Sequence, residues 1–60
     1  MTSVSFYYKH WIIQANAFDE NAEDIELNVQ NRYGDRVTPT SEMFEEARRE
    51  LLFKIGNLHD

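Results

Sequence analysis

The stretch that decides the fold is residues 4–17, VSFYYKHWIIQANA. It is dense in β-branched and aromatic side chains and contains neither glycine nor proline, which predicts one long β-strand over 4–17. Alternation along that strand places Val4, Phe6, Tyr8 and Ile12 on one face and Tyr7, Trp11, Ile13 and Ala15 on the other. Both faces are therefore expected to carry large apolar groups, and one small domain can hardly cover both.

The segment that follows predicts a second strand and a turn. Residues 18–24 form a polar, acidic loop, and residues 25–33 alternate apolar with polar side chains, which is typical of a half-buried strand. The pair Gly34-Asp35 predicts a tight turn, because glycine accepts the positive φ that hairpin turns often require. Residues 36–38 are expected to form at most a short third strand.

The C-terminal third predicts a single helix over 41–55. Thr40 can cap its first turn, and Gly56 suits the left-handed position that commonly closes a helix. An apolar stripe is expected to face the sheet, and it consists of Met43, Phe44, Ala47, Leu51 and Ile55. The sequence therefore predicts one α+β domain over 1–60, a two- or three-stranded antiparallel sheet followed by one amphipathic helix (β-β-α).

Size and composition limit the classes of function. The chain has 60 residues, no cysteine and a formal net charge of -5. A negative field of this size is expected to repel nucleic-acid backbones and acidic membrane surfaces, so no direct contact with nucleic acid or membrane is expected. The absence of cysteine, of a basic region after Met1 and of a long apolar stretch predicts a cytoplasmic protein.

A chain this short has a marginal core, so support from a second copy or from a partner protein is expected. The face of the long strand that the helix leaves uncovered is the predicted partner-binding surface, with Tyr7, Trp11 and Ile13 as apolar anchors. Phe53 projects away from the apolar stripe of the helix and is predicted to join them. Homodimerisation through the same strand would produce the same pattern.

The acidic loop supplies the charged part of the predicted partner-binding set, Asp19, Glu20, Glu23 and Asp24. These carboxylates do not follow the twelve-residue pattern of a calcium loop, so no metal is expected. They can either keep the loop solvated or complement a basic groove on a protein that handles nucleic acid.

The sequence gives little support for catalysis. The histidines, His10 and His59, lie far apart in the chain, and His10 is interpreted as a surface residue of the strand. No glycine-rich phosphate loop and no paired ligands for zinc occur, so neither an enzyme nor a cofactor is expected.

The leading prediction is a small acidic protein-binding module, an inhibitor or adaptor of a cellular protein. In size and composition the chain is similar to the small inhibitors and antitoxins of bacteriophages and other mobile elements. A structural homo-oligomeric or accessory subunit is the first alternative, and an acidic DNA mimic is the second.

Overall fold

A computed structural model describes residues 1–58 as one antiparallel sheet followed by one helix. The sheet has four strands, β1 (Thr2–Tyr8), β2 (Trp11–Ala17), β3 (Ile25–Gln30) and β4 (Arg36–Val37), in the order β1-β2-β3-β4. The helix α1 spans Ser41–Leu58 and packs mainly on β1 and β2. The predicted α+β class, an antiparallel sheet followed by a single C-terminal helix, is confirmed.

The prediction of one strand over 4–17 is wrong, because the chain reverses at Lys9 and His10 and forms a hairpin of β1 and β2. Of these two turn residues only Lys9 has a positive φ, of 56°. Types I′ and II′, the two-residue hairpin turns whose twist matches that of the flanking strands, both have a positive φ at the first central position. Glycine is the usual residue at that position, and because this chain has lysine there, the sequence does not indicate the turn.

The hairpin also overturns the predicted sorting of the strand into two apolar faces. Phe6 pairs with Ile13 across the hairpin, and Val4 pairs with Ala15. Directly paired residues lie on the same face of a sheet, so even-numbered residues before the turn share a face with odd-numbered residues after it. The apolar side chains therefore collect on one face, and the helix covers that face.

The core lies between this face and the helix. Its fully buried side chains with the largest volumes are Ile13, Val29 and Leu51. Alanines at positions 15, 17 and 47 are also buried, and their small side chains allow the helix to approach the sheet closely. The predicted helical stripe is buried at Met43, Ala47, Leu51 and Ile55, whereas Phe44 lies at its margin and is exposed.

The connection between β3 and β4 is longer than predicted, since β3 ends at Gln30 and the turn occupies residues 31–35. The Asn31 side chain holds this turn, because its Oδ1 accepts hydrogen bonds from the backbone N–H of Tyr33 and of Asp35 at 2.9 and 3.0 Å. Gly34 has a φ of 88°, which explains the glycine there. Pairing resumes at Arg36, which lies opposite Gln30.

The helix begins where the sequence predicts but ends three residues later than predicted. Thr40 caps the start as predicted, since its Oγ1 accepts a hydrogen bond from the N–H of Met43 at 3.3 Å. The predicted end at 55 is wrong: the helix continues through Gly56 to Leu58, and Gly56 does not have a positive φ. A glycine inside a helix costs only about 1 kcal/mol, which is not enough to stop a helix that Leu51 and Ile55 anchor in the core. No helix within residues 1–58 is long and apolar enough to cross a membrane.

Polar contacts fix the helix over β1 at both ends. At its N-terminal end the Tyr8 hydroxyl donates to the Glu42 carboxylate at 2.9 Å, and the Lys9 ammonium lies 3.6 Å from that carboxylate. The hydrogen bond from Tyr8, helped by the charge of Lys9, lowers the pKa of Glu42. The same hydrogen bond raises the pKa of Tyr8. At the C-terminal end the Lys54 ammonium donates to the backbone carbonyl of Ser3 at 2.6 Å. The helix therefore runs antiparallel to β1.

The strained turn at Lys9 predicts an unusual response to substitution. Lys9→Gly and Lys9→Ala both remove the ammonium and its contact with Glu42, but only glycine relieves the positive φ. We expect Lys9→Gly to have a free energy of unfolding about 0.5–1 kcal/mol higher than that of Lys9→Ala, measured by urea denaturation. Equal stabilities, or a more stable alanine variant, would mean that Lys9 does not adopt this conformation.

Candidate protein-binding surface

The sheet face that points away from the helix is the first candidate surface, and we call it the open face. Its side chains follow from the register of the paired strands, and they are Ser3, Ser5, Tyr7, Ile12, Gln14, Asn16, Glu26, Asn28, Gln30 and Arg36. No element within residues 1–58 packs on this side of the sheet. The open face therefore forms one continuous surface that reaches across all four strands.

Charge is scarce on the open face, although the chain as a whole is 28% charged. Glu26 and Arg36 carry its only charges, and the other polar groups are hydroxyls and carboxamides that can both donate and accept hydrogen bonds. Ser3 and Asn16, which are paired across the hairpin, use this capacity with each other at 2.6 Å. A polar surface with few charges costs less to desolvate than a charged one, which suits the central part of a protein interface.

Tyr7 and Ile12 are the apolar groups of the open face. They are direct partners across the hairpin, so their side chains lie next to each other. Tyr7 is 80% exposed, whereas Ile12 is half-buried. An exposed tyrosine supported by a neighbouring isoleucine offers rigid contact area with a hydroxyl at its tip, which is typical of residues that anchor interfaces.

A groove with a volume of about 720 Å³ runs along β1, one of the two outer strands of the sheet. Consecutive residues 3–6 of β1 line it. Open-face residues such as Gln14 and Glu26 form one side, and helix residues Glu50, Phe53 and Lys54 form the other. The groove therefore wraps around the edge of β1 and joins the open face to one flank of the helix.

Phe53 lies on that flank and is 70% exposed. The buried positions of the helix, such as Leu51 and Ile55, point to the sheet, and Phe53 falls outside this stripe. The prediction that Phe53 projects away from the apolar stripe is confirmed. The structure places it beside the edge of β1, which the sequence alone did not indicate.

The acidic loop differs from its prediction in one respect: the Asp19 carboxylate binds backbone groups of the loop itself. Its carboxylate accepts hydrogen bonds from the backbone N–H of Glu23 at 2.9 Å and of Asp24 at 3.0 Å. These backbone N–H groups, that of Asp24 foremost, lower the pKa of Asp19. Ala22 is fully buried beneath the loop with a φ of 53°, and Arg48 of the helix donates to the carbonyl of Asn21 at 3.4 Å. The loop is an ordered cap on this end of the core, and its exposed carboxylates are those of Glu20, Glu23 and Asp24.

Two of the predicted anchors do not reach the open face. Ile13 is 0% exposed and packs with Val29 and Met43, so it cannot contact a partner in this fold, and its prediction as a partner-binding residue is wrong. Trp11 is half-buried on the helix side, where it packs against the same cluster near the start of the helix. Both residues turn inward because the hairpin shifts the alternation of faces by one position.

The predicted partner-binding residues therefore do not form a single site. Tyr7 lies near the Lys9 turn, whereas the acidic loop joins β2 to β3 at the other end of the sheet, in a molecule about 36 Å long. Tyr7 and Phe53 both border β1, one on the open face and one on the helix side. Sequence reasoning missed Ile12, Ser5 and Gln14 as members of the surface, because their placement depends on where the hairpin turns.

Within residues 1–58 no group of three or more histidine, aspartate or glutamate side chains is placed to hold a metal ion. The interpretation of His10 as a strand residue is wrong, since it is an exposed member of the turn between β1 and β2. His59 lies outside the described residues. The chemistry that the described surfaces offer is hydrogen bonding, apolar contact and charge of both signs.

The bonds to Asp19 predict a contribution to stability that depends on pH. Its folded pKa is lower than its unfolded value of about 3.9, so this contribution is complete above pH 5 and is lost as the pH falls through the folded pKa. We expect Asp19→Asn to lose less stability than the wild type between pH 5 and about 2.5, measured by thermal unfolding followed by circular dichroism. Asp24→Asn removes a charge from the same loop but keeps the Asp19 carboxylate, so it should respond to acid like the wild type. Parallel curves for all three proteins would contradict the capping role of Asp19.

Comparisons with protein-family models, with curated proteins and with solved structures find no match for this chain. A function for the chain must therefore be argued from the surfaces described above.

Proposed function

We propose that the chain is a small acidic protein-binding module, an inhibitor or adaptor that acts by occupying a surface of another protein. The observation that carries the proposal is the open face, a continuous, nearly uncharged sheet surface with Tyr7 standing out from it. A net charge of -5 keeps the rest of the molecule well solvated. The combination suits a protein that is soluble alone and buries one defined face on binding.

The side-chain chemistry of the open face supports protein recognition in particular. Tyrosine, serine and asparagine are the residues that antibody paratopes favour, because tyrosine supplies rigid contact area and the smaller groups adapt their hydrogen bonds. Here Tyr7 shares the open face with Ser5 on its own strand, Gln14 on β2 and Gln30 on β3. The underlying sheet is held by backbone hydrogen bonds, so these groups are presented in a fixed arrangement and little order must be gained on binding.

The remaining carboxylates of the acidic loop would guide association rather than anchor it. Glu20, Glu23 and Asp24 are exposed, and exposed charges change association rates more than they change the stability of a complex. They favour a target with a basic surface, such as a protein that handles nucleic acid. This finer identification of the target, and the comparison with inhibitors from mobile elements, rest on charge and size.

Two other functions are kept as alternatives. A homo-oligomeric subunit would use the same outer surfaces for self-association, and the mass of the protein in solution separates it from a module that binds a foreign protein. An acidic DNA mimic would need carboxylates beyond the loop, such as Glu42 and Glu46, yet Glu42 lies near Lys9 and Glu46 near Arg49. These local partners weaken the case for the mimic.

The contribution of Tyr7 gives a direct test of the proposed function. The wild type is used as bait in a cell lysate, the protein captured most strongly is purified, and its affinity for wild type and variants is measured by calorimetry. We expect Tyr7→Ala to weaken binding by about 30-fold, which corresponds to the roughly 2 kcal/mol that a central interface residue contributes.

Tyr33→Ala is the matched control, because Tyr33 is 74% exposed but lies in the turn between β3 and β4 and not on the open face. It should bind like the wild type. If both variants lose the same affinity, or if Tyr7→Ala loses none, the open face is not the binding surface.

A further inference from the structure

The edge of β1 offers free backbone hydrogen-bonding groups to a partner. β1 pairs with β2 on one side only, so alternate residues direct their N–H and C=O groups outward. The two-residue turn makes Tyr8 and Trp11 a hydrogen-bonded pair, which leaves Ser3, Ser5 and Tyr7 facing out. The bond from Lys54 to the carbonyl of Ser3 agrees with this assignment. Among the described residues, no donor or acceptor contacts the outward groups of Ser5 or Tyr7.

The two edges of the sheet differ in length and in what lies beside them. β4 at the opposite side comprises only Arg36 and Val37, which is too short to template a further strand. β1 has seven residues and borders the groove of about 720 Å³. Exposed aromatic rings border it on both sides, with Tyr7 on the open face and Phe53 on the helix flank.

We propose that β1 accepts an extended segment of another protein as a fifth strand, and that this segment carries Lys or Arg together with apolar side chains. This inference rests on the proposed protein-binding function and specifies how the partner binds. Backbone groups of the segment would pair with Ser5 and Tyr7, and its side chains would alternate between the open face and the helix flank. Apolar side chains would then contact Tyr7 on one side and Phe53 on the other.

Charge selects the chemistry of the segment. Each side of the groove carries a carboxylate, Glu26 on the open face and Glu50 on the helix flank. The only cation lining the groove within the described residues is Lys54, and its ammonium is engaged with the carbonyl of Ser3. A basic segment meets opposite charge on both sides, whereas an acidic one would be repelled by a chain of net charge -5.

The same charges argue against a second copy of this chain as the occupant. Pairing two β1 edges about a twofold axis brings the same flank of each helix together. On that flank Glu50 lies beside the middle of β1, so the Glu50 carboxylates of the two copies would approach each other across the axis. Two molecules of net charge -5 also repel each other as a whole.

Lys54 does not close the site. A carbonyl oxygen has two lone pairs, so Ser3 can accept a bond from the partner while it keeps the one from Lys54. Lysine side chains at an exposed strand edge commonly hinder edge-to-edge aggregation, and here the ammonium of the helix residue Lys54 reaches such an edge. It protects the end of β1 near the helix C-terminus and leaves the stretch from Ser5 to Tyr7 open.

The test uses a displayed library of random peptides of about eight residues, long enough to span the outward groups of β1 at about 3.3 Å per residue. It is selected against the wild-type protein, and the enriched peptides are synthesised. Binding is then compared for Ser5→Pro and Ser5→Ala. Proline removes the outward N–H of residue 5 and is tolerated on an edge strand, whereas alanine keeps the N–H and serves as the matched control.

We expect the enriched peptides to alternate basic and apolar residues and to bind Ser5→Ala like the wild type. Ser5→Pro should weaken them about tenfold, which is the size of effect that loss of a backbone hydrogen bond can produce. On the side of the helix, Phe53→Ala should weaken them and Leu52→Ala should not, since Leu52 is exposed outside the groove. If Ser5→Pro does not fold, amide hydrogen exchange of the wild type tests the same hydrogen bonds. Bound peptide should then slow exchange at the amides of Ser5 and Tyr7.

Three outcomes would overturn the inference. In the first, the enriched peptides bind Ser5→Pro as tightly as Ser5→Ala and shift the NMR signals of Ile12 and Gln14. This would show that they bind the open face and not the edge of β1, and the proposed function would still stand. Failure to enrich any peptide would exclude extended segments, while the Tyr7 comparison would still judge the proposed function independently. A wild-type protein that sediments as a dimer, and a monomeric Ser5→Pro, would identify the occupant as a second copy.

Discussion

The turn at Lys9 and His10 is the constraint on which the rest of the structure depends. It places Lys9 at a positive φ, which an L-amino acid with a side chain adopts only at a cost of roughly 1–2 kcal/mol. In return, seven residues of β1 pair along their whole length with seven of β2. It also shifts the alternation of faces, so that Phe6 and Ile13 reach the same side and a single helix can cover the apolar surface. Without the turn, half of the aromatic stretch would remain uncovered.

The open face and the free edge follow from the same constraint. Once the apolar side chains are gathered beneath the helix, hydroxyls and carboxamides are left on the other side of the sheet, together with Tyr7 and Ile12. Because each strand pairs with the next one along the chain, in the order β1-β2-β3-β4, β1 lies at the edge of the sheet. The helix then runs back along β1, where Tyr8 holds its N-terminal end and Lys54 reaches the strand from its C-terminal end. Tyr7 and Phe53 consequently border one strand from opposite sides.

Local signals made much of this predictable from the sequence. Thr40 marks the start of the helix, the alternation after Ile25 marks β3, and Gly34 occupies the left-handed position of its turn. The hairpin was missed because its turn contains neither glycine nor asparagine, and a continuous run of β-formers gives no other sign of reversal. That single omission reversed the faces assigned to Trp11 and Ile13 and hid the contribution of Ile12. The role of Asp19 was missed for a different reason. A carboxylate that accepts hydrogen bonds from the backbone of its own loop cannot be distinguished in the sequence from one that binds a partner.

Residue-resolved amide hydrogen exchange along β1, measured by NMR on the protein alone, tests the central claim most directly. If the turn lies at Lys9 and His10 and β1 is a free edge, the amides of Val4, Phe6 and Tyr8 are protected, whereas those of Ser5 and Tyr7 exchange rapidly. Uniform protection over residues 4–8 would show that β1 is paired on both sides, and rapid exchange throughout would show that the hairpin does not form. Either pattern would contradict the hairpin with a free outer edge.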